Sequence, residues 1–271
     1  MTENKTDFSL INIGAPKFLE NATSEPAKEI GRTLANLVWV VFSRVNMPIE
    51  KLRIKQAVSL KKFELEITEQ LNNIPEENLL EPQLSIVGPA LEATKYYIEE
   101  DEIRQMFAKL IGSSMDNRHS SQTHHSFVEI IKQMSPLDAQ NLRSFGNMAN
   151  KPIANYINHV QPSGSGPLQV NVYLENEDCN DLCQVAISIS NLQRLGIVSL
   201  IFDGSYLNGL DIYKKHEEHD FYKSFKEMYQ QANNTILPEN YMPIRELGIE
   251  IQKGIISLTP LGEALKRVCI D

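Results

Sequence analysis

Cysteine is scarce in this sequence, which contains only Cys179, Cys183 and Cys269 among its 271 residues. An odd number of cysteines, in a chain that opens without a basic and apolar leader, predicts free thiols rather than a disulfide framework. Long apolar runs are also missing, because residues 37–42 form the longest and a membrane-spanning helix requires roughly 20 apolar residues. We therefore expect a cytoplasmic protein with no transmembrane segment.

The short motifs that mark common cofactor and catalytic sites are absent. The sequence contains no G-x-x-x-x-G-K-[ST], G-x-G-x-x-G, G-x-S-x-G or H-E-x-x-H. These absences exclude the usual phosphate cradle, dinucleotide turn, nucleophile elbow and metalloprotease helix. We therefore predict no cofactor, no catalytic residue and no enzymatic activity, and the sequence indicates no class of small-molecule substrate.

Positive charge is in the minority. Lysine and arginine number 26 against 35 aspartate and glutamate residues, so the formal net charge is −9. This balance disfavours general nucleic-acid binding, although a local basic stripe can still contact phosphates. The apolar share of 42% is ordinary for a folded protein, and the length suits two modest domains.

Helical patterns dominate the first half of the chain. Ser24 and Pro26 mark the start of a helix that extends to about residue 45, and Pro48 marks a longer helix that extends to about residue 73. A second apolar stripe on the longer helix predicts that it packs on two sides or against another subunit; its members are Ile54, Val58 and Leu65. A loop is predicted around three prolines, Pro75, Pro82 and Pro89.

Two further helices have distinct start signals. Residues 99–102 supply an acidic first turn, and five apolar residues at three- and four-residue steps follow it. Those residues are Ile103, Met106, Phe107, Leu110 and Ile111. Ser135, with Asp138 three residues later, has the spacing of a capping box, and Pro136 suits the first helical position. These signals predict that another helix begins there.

The character of the sequence changes after about residue 150. Residues 168–174 alternate apolar and polar side chains as a half-buried strand does, and a helical face from Leu182 to Leu192 ends at Gly196. The pattern continues with a short strand at 197–202, a hairpin at 249–258 and a final helix from Pro260 to about Val268. Strand, helix, strand, hairpin and helix is the order of a winged-helix module.

The patterns together predict a mainly α protein with three parts. A flexible N-terminal arm occupies residues 1–23, and a helical domain occupies residues 24–150. An α+β winged-helix-like domain follows at residues 151–271, and it contains an inserted helical segment at 204–247.

Six segments of the sequence are similar to segments of a known protein family: Ile74–Glu77, Ile86–Glu92, Ile103–Ser114, Ser126–Pro136, Asn191–Ile197 and Leu258–Gly262. Read together, they resemble the Abi-alpha family of bacterial abortive-infection proteins. The resemblance implies antiviral defence, in which an infected cell stops growing or dies before the phage matures. It transfers no catalytic residues, and Leu261 stands where similar segments favour phenylalanine, which changes packing more than function.

The segment after Met115 is rich in residue types that ligate zinc or manganese: Asp116, His119, His124, His125 and Glu129. Their spacing fits no common closed metal site. A polar helix start beside Ser126 explains His124 or His125 without a metal. We therefore predict no bound metal and retain these five residues only as weak candidates.

One segment opposes the acidic trend. Six basic residues follow the apolar run that contains Trp39: Arg44, Lys51, Arg53, Lys55, Lys61 and Lys62. A basic amphipathic helix beside an aromatic apolar run is typical of proteins that lie on anionic membrane surfaces. The alternative is a core helix, with Trp39 buried, followed by a solvated charged face. Trp39 and the six basic residues are the predicted partner or membrane surface.

Three functional hypotheses follow. The leading one is a non-enzymatic phage-defence protein that acts through a protein partner, through self-association or at the inner face of the membrane. The second is a winged-helix DNA-binding regulator, which is disfavoured because the predicted recognition helix, 182–195, carries only Arg194 as a positive charge. The third is a metal-dependent hydrolase or nuclease that uses the cluster from Asp116 to Glu129.

Overall fold

The structure is a computed structural model that describes residues 16–43, 50–160, 163–209, 211–234 and 247–271; the side chains of residues 50–54 lie outside this description. The chain divides into two compact units. Unit 1 comprises residues 1–133 and 267–271, and unit 2 comprises residues 134–266. The domain limits at 24–150 and 151–271 stay a prediction.

Unit 1 is helical within the described residues. Its helices are α1 (Glu25–Ser43), α2 (Glu50–Asn72), α3 (Leu84–Tyr97), α4 (Asp101–Ser114) and α5 (Ser126–Ile131). α2, α3 and α5 pack against α4, whose Ile103, Phe107 and Leu110 are fully buried. The predicted apolar period of α4 is therefore confirmed, and this helix forms the centre of the core of unit 1.

The start of α1 is tied to the turn after α2. The Ser24 hydroxyl accepts a hydrogen bond from Ala27 N at 3.4 Å, as the predicted N-cap requires. The Glu76 carboxylate accepts hydrogen bonds from the backbone N–H groups of Thr23 at 2.6 Å and Ser24 at 2.9 Å. Hydrogen bonds from Ser24 and Thr23 lower the pKa of Glu76 to about 2.

The prediction of a loop at Pro89 is wrong, because Pro89 lies inside α3. A proline within a helix removes the hydrogen bond to the carbonyl four residues earlier, which here belongs to Ser85. Both Ser85 and Pro89 are exposed, so water can satisfy the freed carbonyl. The helix therefore continues through the proline.

Unit 2 combines helices with an antiparallel sheet. Its elements are α6 (Pro136–Arg143), β1 (Asn150–Val160), β2 (Gly164–Val172), α7 (Leu182–Arg194), β3 (Val198–Ile201), α8 (Lys214–Glu218), α9 (Asp220–Asn233), β4 (Leu247–Leu258) and α10 (Pro260–Cys269). The last three residues of α10 are counted with unit 1. The strand order is β2-β1-β4-β3, and all three pairings are antiparallel.

Several predicted boundaries of unit 2 are confirmed. Ser135 N and Asp138 N each bond to the other residue's side chain, so the capping box begins α6. α7 ends before Gly196, which has a φ of +73°, and Ile197 N donates to Leu192 O at 2.9 Å. The predicted helix in the insertion is α9, and the final helix is α10.

The predicted hairpin at 249–258 is wrong, because β4 is one continuous strand. Its register runs from Val160↔Leu247 to Asn150↔Ser257 on the β1 side, and β3 pairs with its other edge. Gly254 does not form a turn. It allows the Phe202 ring to approach the β4 backbone closely, since a Cβ at position 254 would lie 2.4 Å from Phe202 Cδ1. Without the wing hairpin, the winged-helix arrangement is not confirmed, and the architecture is mixed α+β.

The inserted helices are held to the sheet by buried hydrogen bonds. His216 is fully buried, and its Nε2 donates to Val172 O at 3.1 Å. Tyr156 OH donates to His216 O at 2.9 Å, and the Tyr156 ring stacks on Phe221 of α9 with centroids 5.8 Å apart. α8 and α9 therefore cover an aromatic part of the core of unit 2.

Candidate interaction surface

The predicted interaction surface lies on α1 and α2, and part of it is outside the described structure. Arg44 is among residues 44–49, which are not described, and the side chains of Lys51 and Arg53 are also outside the description. The described members are Trp39 on α1 and three lysines on α2, namely Lys55, Lys61 and Lys62.

Trp39 and its neighbour Val40 form an exposed apolar pair on α1, which we call the α1 patch. Trp39 is 49% exposed and Val40 is 42% exposed, whereas Val38 and Phe42 are buried. The buried side of α1 includes a ring contact between Phe42 and Phe63 of α2, with centroids 6.2 Å apart. Since α1 already buries one face, Trp39 does not fill the core as the alternative interpretation required.

The three described lysines are each paired with an acid. Lys55 pairs with Glu99, Lys61 Nζ lies 3.0 Å from Glu64 Oε2, and Lys62 Nζ lies 3.7 Å from Asp101 Oδ1. Each pair removes local positive charge that would otherwise attract an anionic surface. The described lysines are therefore balanced by acids, two of them, Glu99 and Asp101, from outside α2 and one, Glu64, from α2 itself.

The second apolar stripe of α2 faces outward. Val58 is 56% exposed and Leu65 is 59% exposed, while Phe63, Ile67 and Leu71 are fully buried. α2 thus contributes one face to the core of unit 1 and presents apolar side chains on the opposite face. The side chain of Ile54 lies outside the described residues.

The five candidate metal ligands have other partners or lie apart. Asp116 is buried and binds the Arg118 guanidinium at 2.5 Å, and hydrogen bonds from Arg118 lower its pKa. His124 Nδ1 lies 2.7 Å from Ser126 Oγ, and Glu129 pairs with Lys132 at 2.9 Å. His119 and His125 are exposed.

No group of three or more His, Cys, Asp or Glu side chains in the described part of the chain is arranged to hold a metal ion. An open pocket of about 310 Å³ in unit 2 brings together polar residues that include Cys179, Lys215 and His219. Two of these are already engaged, since Lys215 pairs with Glu175 and His219 Nδ1 accepts a hydrogen bond from Phe221 N. The pocket therefore offers no evident ligand set.

The outward side of α7 is almost free of charge. Its exposed positions are Cys183, Gln184, Ile187, Ser190, Gln193 and Arg194. The Arg194 guanidinium donates to Asn191 Oδ1 at 2.8 Å. A helix that reads DNA needs lysine or arginine around its phosphate contacts, so this surface suits nucleic acid poorly.

The sheet brings together three polar residues that sequence reasoning missed. Ser165 Oγ lies 2.6 Å from His159 Nδ1, and His159 Nε2 lies 2.9 Å from Glu250 Oε2. The connectivity is that of a nucleophile, base and acid, but Glu250 is largely exposed and His159 is partly exposed. Catalytic electrostatics depend on a water-excluded site, so we interpret this trio as a polar link between β2, β1 and β4.

None of the helices in the described part of the chain has both the length and the apolarity needed to cross a membrane. The fold defines a two-unit α+β protein, with one helical unit and one unit built on a four-stranded antiparallel sheet. Residues 55–269 match the family described as abortive infection alpha, and the chain belongs to that family. The resemblance noted in the sequence is confirmed. No curated protein matches the chain, and no solved structure matches it.

Proposed function

We propose that this protein acts in abortive-infection-type defence against phage, and that it acts by contact with another protein through the α1 patch. Membership of the abortive infection alpha family supports the defence role. The observation that supports this contact is the half-exposed side chain of Trp39. Tryptophan is enriched among the residues that dominate binding energy at protein interfaces.

The ion pairs of α2 favour a protein over an anionic membrane as the partner. Each lysine or arginine near an anionic bilayer contributes about 1 kcal/mol only when its charge is available to the lipid. Lys55 and Lys61 are held in close pairs with carboxylates, and only the pair of Lys62, at 3.7 Å, is loose. Exposed aromatic and apolar side chains with polar residues at their rim are the usual composition of a protein interface.

The proposed mode of action is contact with a protein, rather than catalysis or DNA binding, for two reasons. The candidate metal ligands are engaged in ion pairs or hydrogen bonds, or are exposed singly. A winged-helix regulator would need a basic recognition helix, and α7 carries only Arg194. Salt-dependent retention on DNA is the measurement that would favour that second function.

We expect Trp39→Ala to abolish phage protection while leaving the protein folded. Truncating an interface tryptophan costs about 2 kcal/mol or more of binding energy, roughly a thirtyfold loss of affinity. Because Trp39 is half exposed, the free energy of unfolding should fall by about 2 kcal/mol, roughly half the cost of removing a fully buried tryptophan, which leaves the protein folded. The measurements are plaque counts in cells that express each variant and urea unfolding of the purified proteins.

The matched control is Tyr96→Ala, which removes an aromatic side chain that is 84% exposed on α3 of the same unit. It should leave both protection and stability unchanged. Full protection by the Trp39→Ala variant, at wild-type protein levels, would exclude the α1 patch as the contact.

We also expect the protein to remain in the aqueous fraction when it is floated with phosphatidylserine-containing vesicles at physiological salt. At that ionic strength the Debye length is about 8 Å, so exposed and already paired lysines attract lipid weakly. The opposite result would be flotation that disappears when Lys51, Arg53 and Lys55 are changed to glutamate. It would show that the membrane, and not a protein, is the partner of this surface.

A further inference from the structure

We propose that the outward face of α2 is a contact between two copies of this chain, with the two α2 helices packed antiparallel and Leu65 near the centre. We call this surface the α2 outer face, and its members are Lys55, Val58, Lys61, Lys62, Leu65 and Glu69. The proposal goes beyond the function proposed above, because it concerns different residues and a different partner.

The apolar residues of the α2 outer face have the spacing of a helix–helix seam. Val58 and Leu65 are seven residues apart, so they lie two turns apart on the same side of α2. Both are more than half exposed, although the opposite side of the helix is fully buried in the core of unit 1. Apolar positions seven residues apart with charged residues beside them are the pattern of a helix–helix seam.

The charges of the α2 outer face are divided along the helix. Its N-terminal half carries Lys55, Lys61 and Lys62, and its C-terminal half carries the exposed Glu69. Lys62 lies three residues before Leu65, and Glu69 lies four residues after it. Both are on the same flank of Leu65. Because Lys55 and Lys61 are held in close pairs with Glu99 and Glu64, the charges available to pair across a seam are Lys62 toward its N-terminal end and Glu69 toward its C-terminal end.

This division makes the face complementary to a second copy of itself in one orientation only. Antiparallel packing about Leu65 brings Lys62 of one copy beside Glu69 of the other, twice by symmetry, and brings Val58 and Leu65 of both copies into one seam. Parallel packing would instead place lysines opposite lysines. A two-fold dimer requires a self-complementary patch, and opposite charges that flank the seam determine its orientation.

The intramolecular partner of Lys62 does not prevent this contact. The pair between Lys62 and Asp101 is long, at 3.7 Å, and both side chains are more than half exposed. Exposed pairs of this kind contribute between about 0 and 1 kcal/mol. Lys62 can therefore turn toward a second chain at little cost.

The test is sedimentation velocity of the full chain over a concentration series, combined with charge exchange. We expect the wild type to show a concentration-dependent dimer. Lys62→Glu and Glu69→Lys should each weaken it by roughly three- to tenfold, and the double variant Lys62→Glu/Glu69→Lys should recover the wild-type dissociation constant within about twofold. Leu65→Glu should weaken the dimer by at least about tenfold, since it places a charge in the seam.

The matched control is Leu84→Glu, because Leu84 on α3 is 63% exposed, much as Leu65 is. It should dimerise as the wild type does. A wild type that stays monomeric at every concentration, an equal effect of Leu84→Glu, or no recovery in the double charge exchange would each overturn the proposal. Trp39→Ala should still dimerise, so failure of this inference and failure of the α1 contact are separate outcomes.

Discussion

Replacing Arg104 by alanine is expected to lower the free energy of unfolding by about 3 kcal/mol, at the lower end of the range for breaking a buried ion pair. The Arg104 side chain is 3% exposed. Its guanidinium binds both oxygens of Glu66 on α2, with Nη2 to Oε1 at 2.7 Å and Nε to Oε2 at 3.0 Å. It also binds Asp101 at 2.6 Å and donates to Ile98 O at 3.1 Å.

The expected cost arises from the groups that the substitution leaves behind. Glu66 would lose its bidentate partner in a place where water reaches it only partly, and the Ile98 carbonyl would lose a donor. Asp101 is more than half exposed, so its charge would be rehydrated, which is why we expect about 3 rather than 5 kcal/mol. Since Arg104 joins α4 to α2, its loss should also disturb the α2 outer face.

Urea unfolding of the purified variant measures this effect. The control is Lys132→Ala, which breaks an exposed pair with Glu129 three residues away and should cost no more than about 0.5 kcal/mol. If Arg104→Ala lost as little stability as Lys132→Ala, the buried arginine would not be what joins these helices.

Acidification is expected to weaken unit 2 through His216. Burial lowers the pKa of this histidine from its ordinary value of 6.5 to about 4. The side chain is fully buried, and its Nδ1 has no hydrogen-bond partner among the described residues. Protonation would place a charge at this nitrogen on the buried side of α8, where the His216 ring faces the sheet.

The direction of the effect follows from proton binding in the two states. Between pH 6.5 and about 4, the unfolded chain binds a proton at His216 that the folded chain does not bind. The free energy of unfolding therefore falls as the pH is lowered through this window and rises as the pH returns to 7. A difference of about 2.5 pKa units corresponds to about 3 kcal/mol.

Urea unfolding of the wild type and of His216→Gln, at pH values from 7 to 4, isolates this contribution. Glutamine can still donate to Val172 O but does not take up a proton, and the carboxylates that titrate in the same range are common to both proteins. The wild type should lose about 3 kcal/mol more than the variant across the window. Parallel pH profiles would show that His216 is not the group responsible.

Local signals in the sequence predicted the helices well. The apolar period from Ile103 to Ile111 and the capping box from Ser135 to Asp138 depend only on residues within one or two turns of each other. The end of α7 at Gly196 is equally local, since it needs one residue with a positive φ. Each of these predictions is confirmed because the interaction that decides it is short in sequence.

In the sheet, predictions failed where a distant partner decides the structure. Residues 249–258 are predicted as a hairpin, but β1 pairs with this segment as far as Ser257 and β3 pairs with residues 255–258, which keeps it extended. No strand is predicted at 150–160, whose pairing partner in β4 lies about a hundred residues later. The trio of Ser165, His159 and Glu250 has the same origin, because strand register brings its members together.

The amino-acid sequence by itself determined the helical periods, the caps, the net negative charge and the family of this protein, since these depend on residue types and their spacing. Only the tertiary structure decided that Trp39 and Leu65 face outward and that Lys55 and Lys62 lie beside acids. Burial and ion pairing depend on which elements pack together, and for Lys55 and Lys62 the partner lies about 40 residues away. The described lysines of the basic stretch thus lie, in the fold, in ion pairs beside exposed apolar side chains.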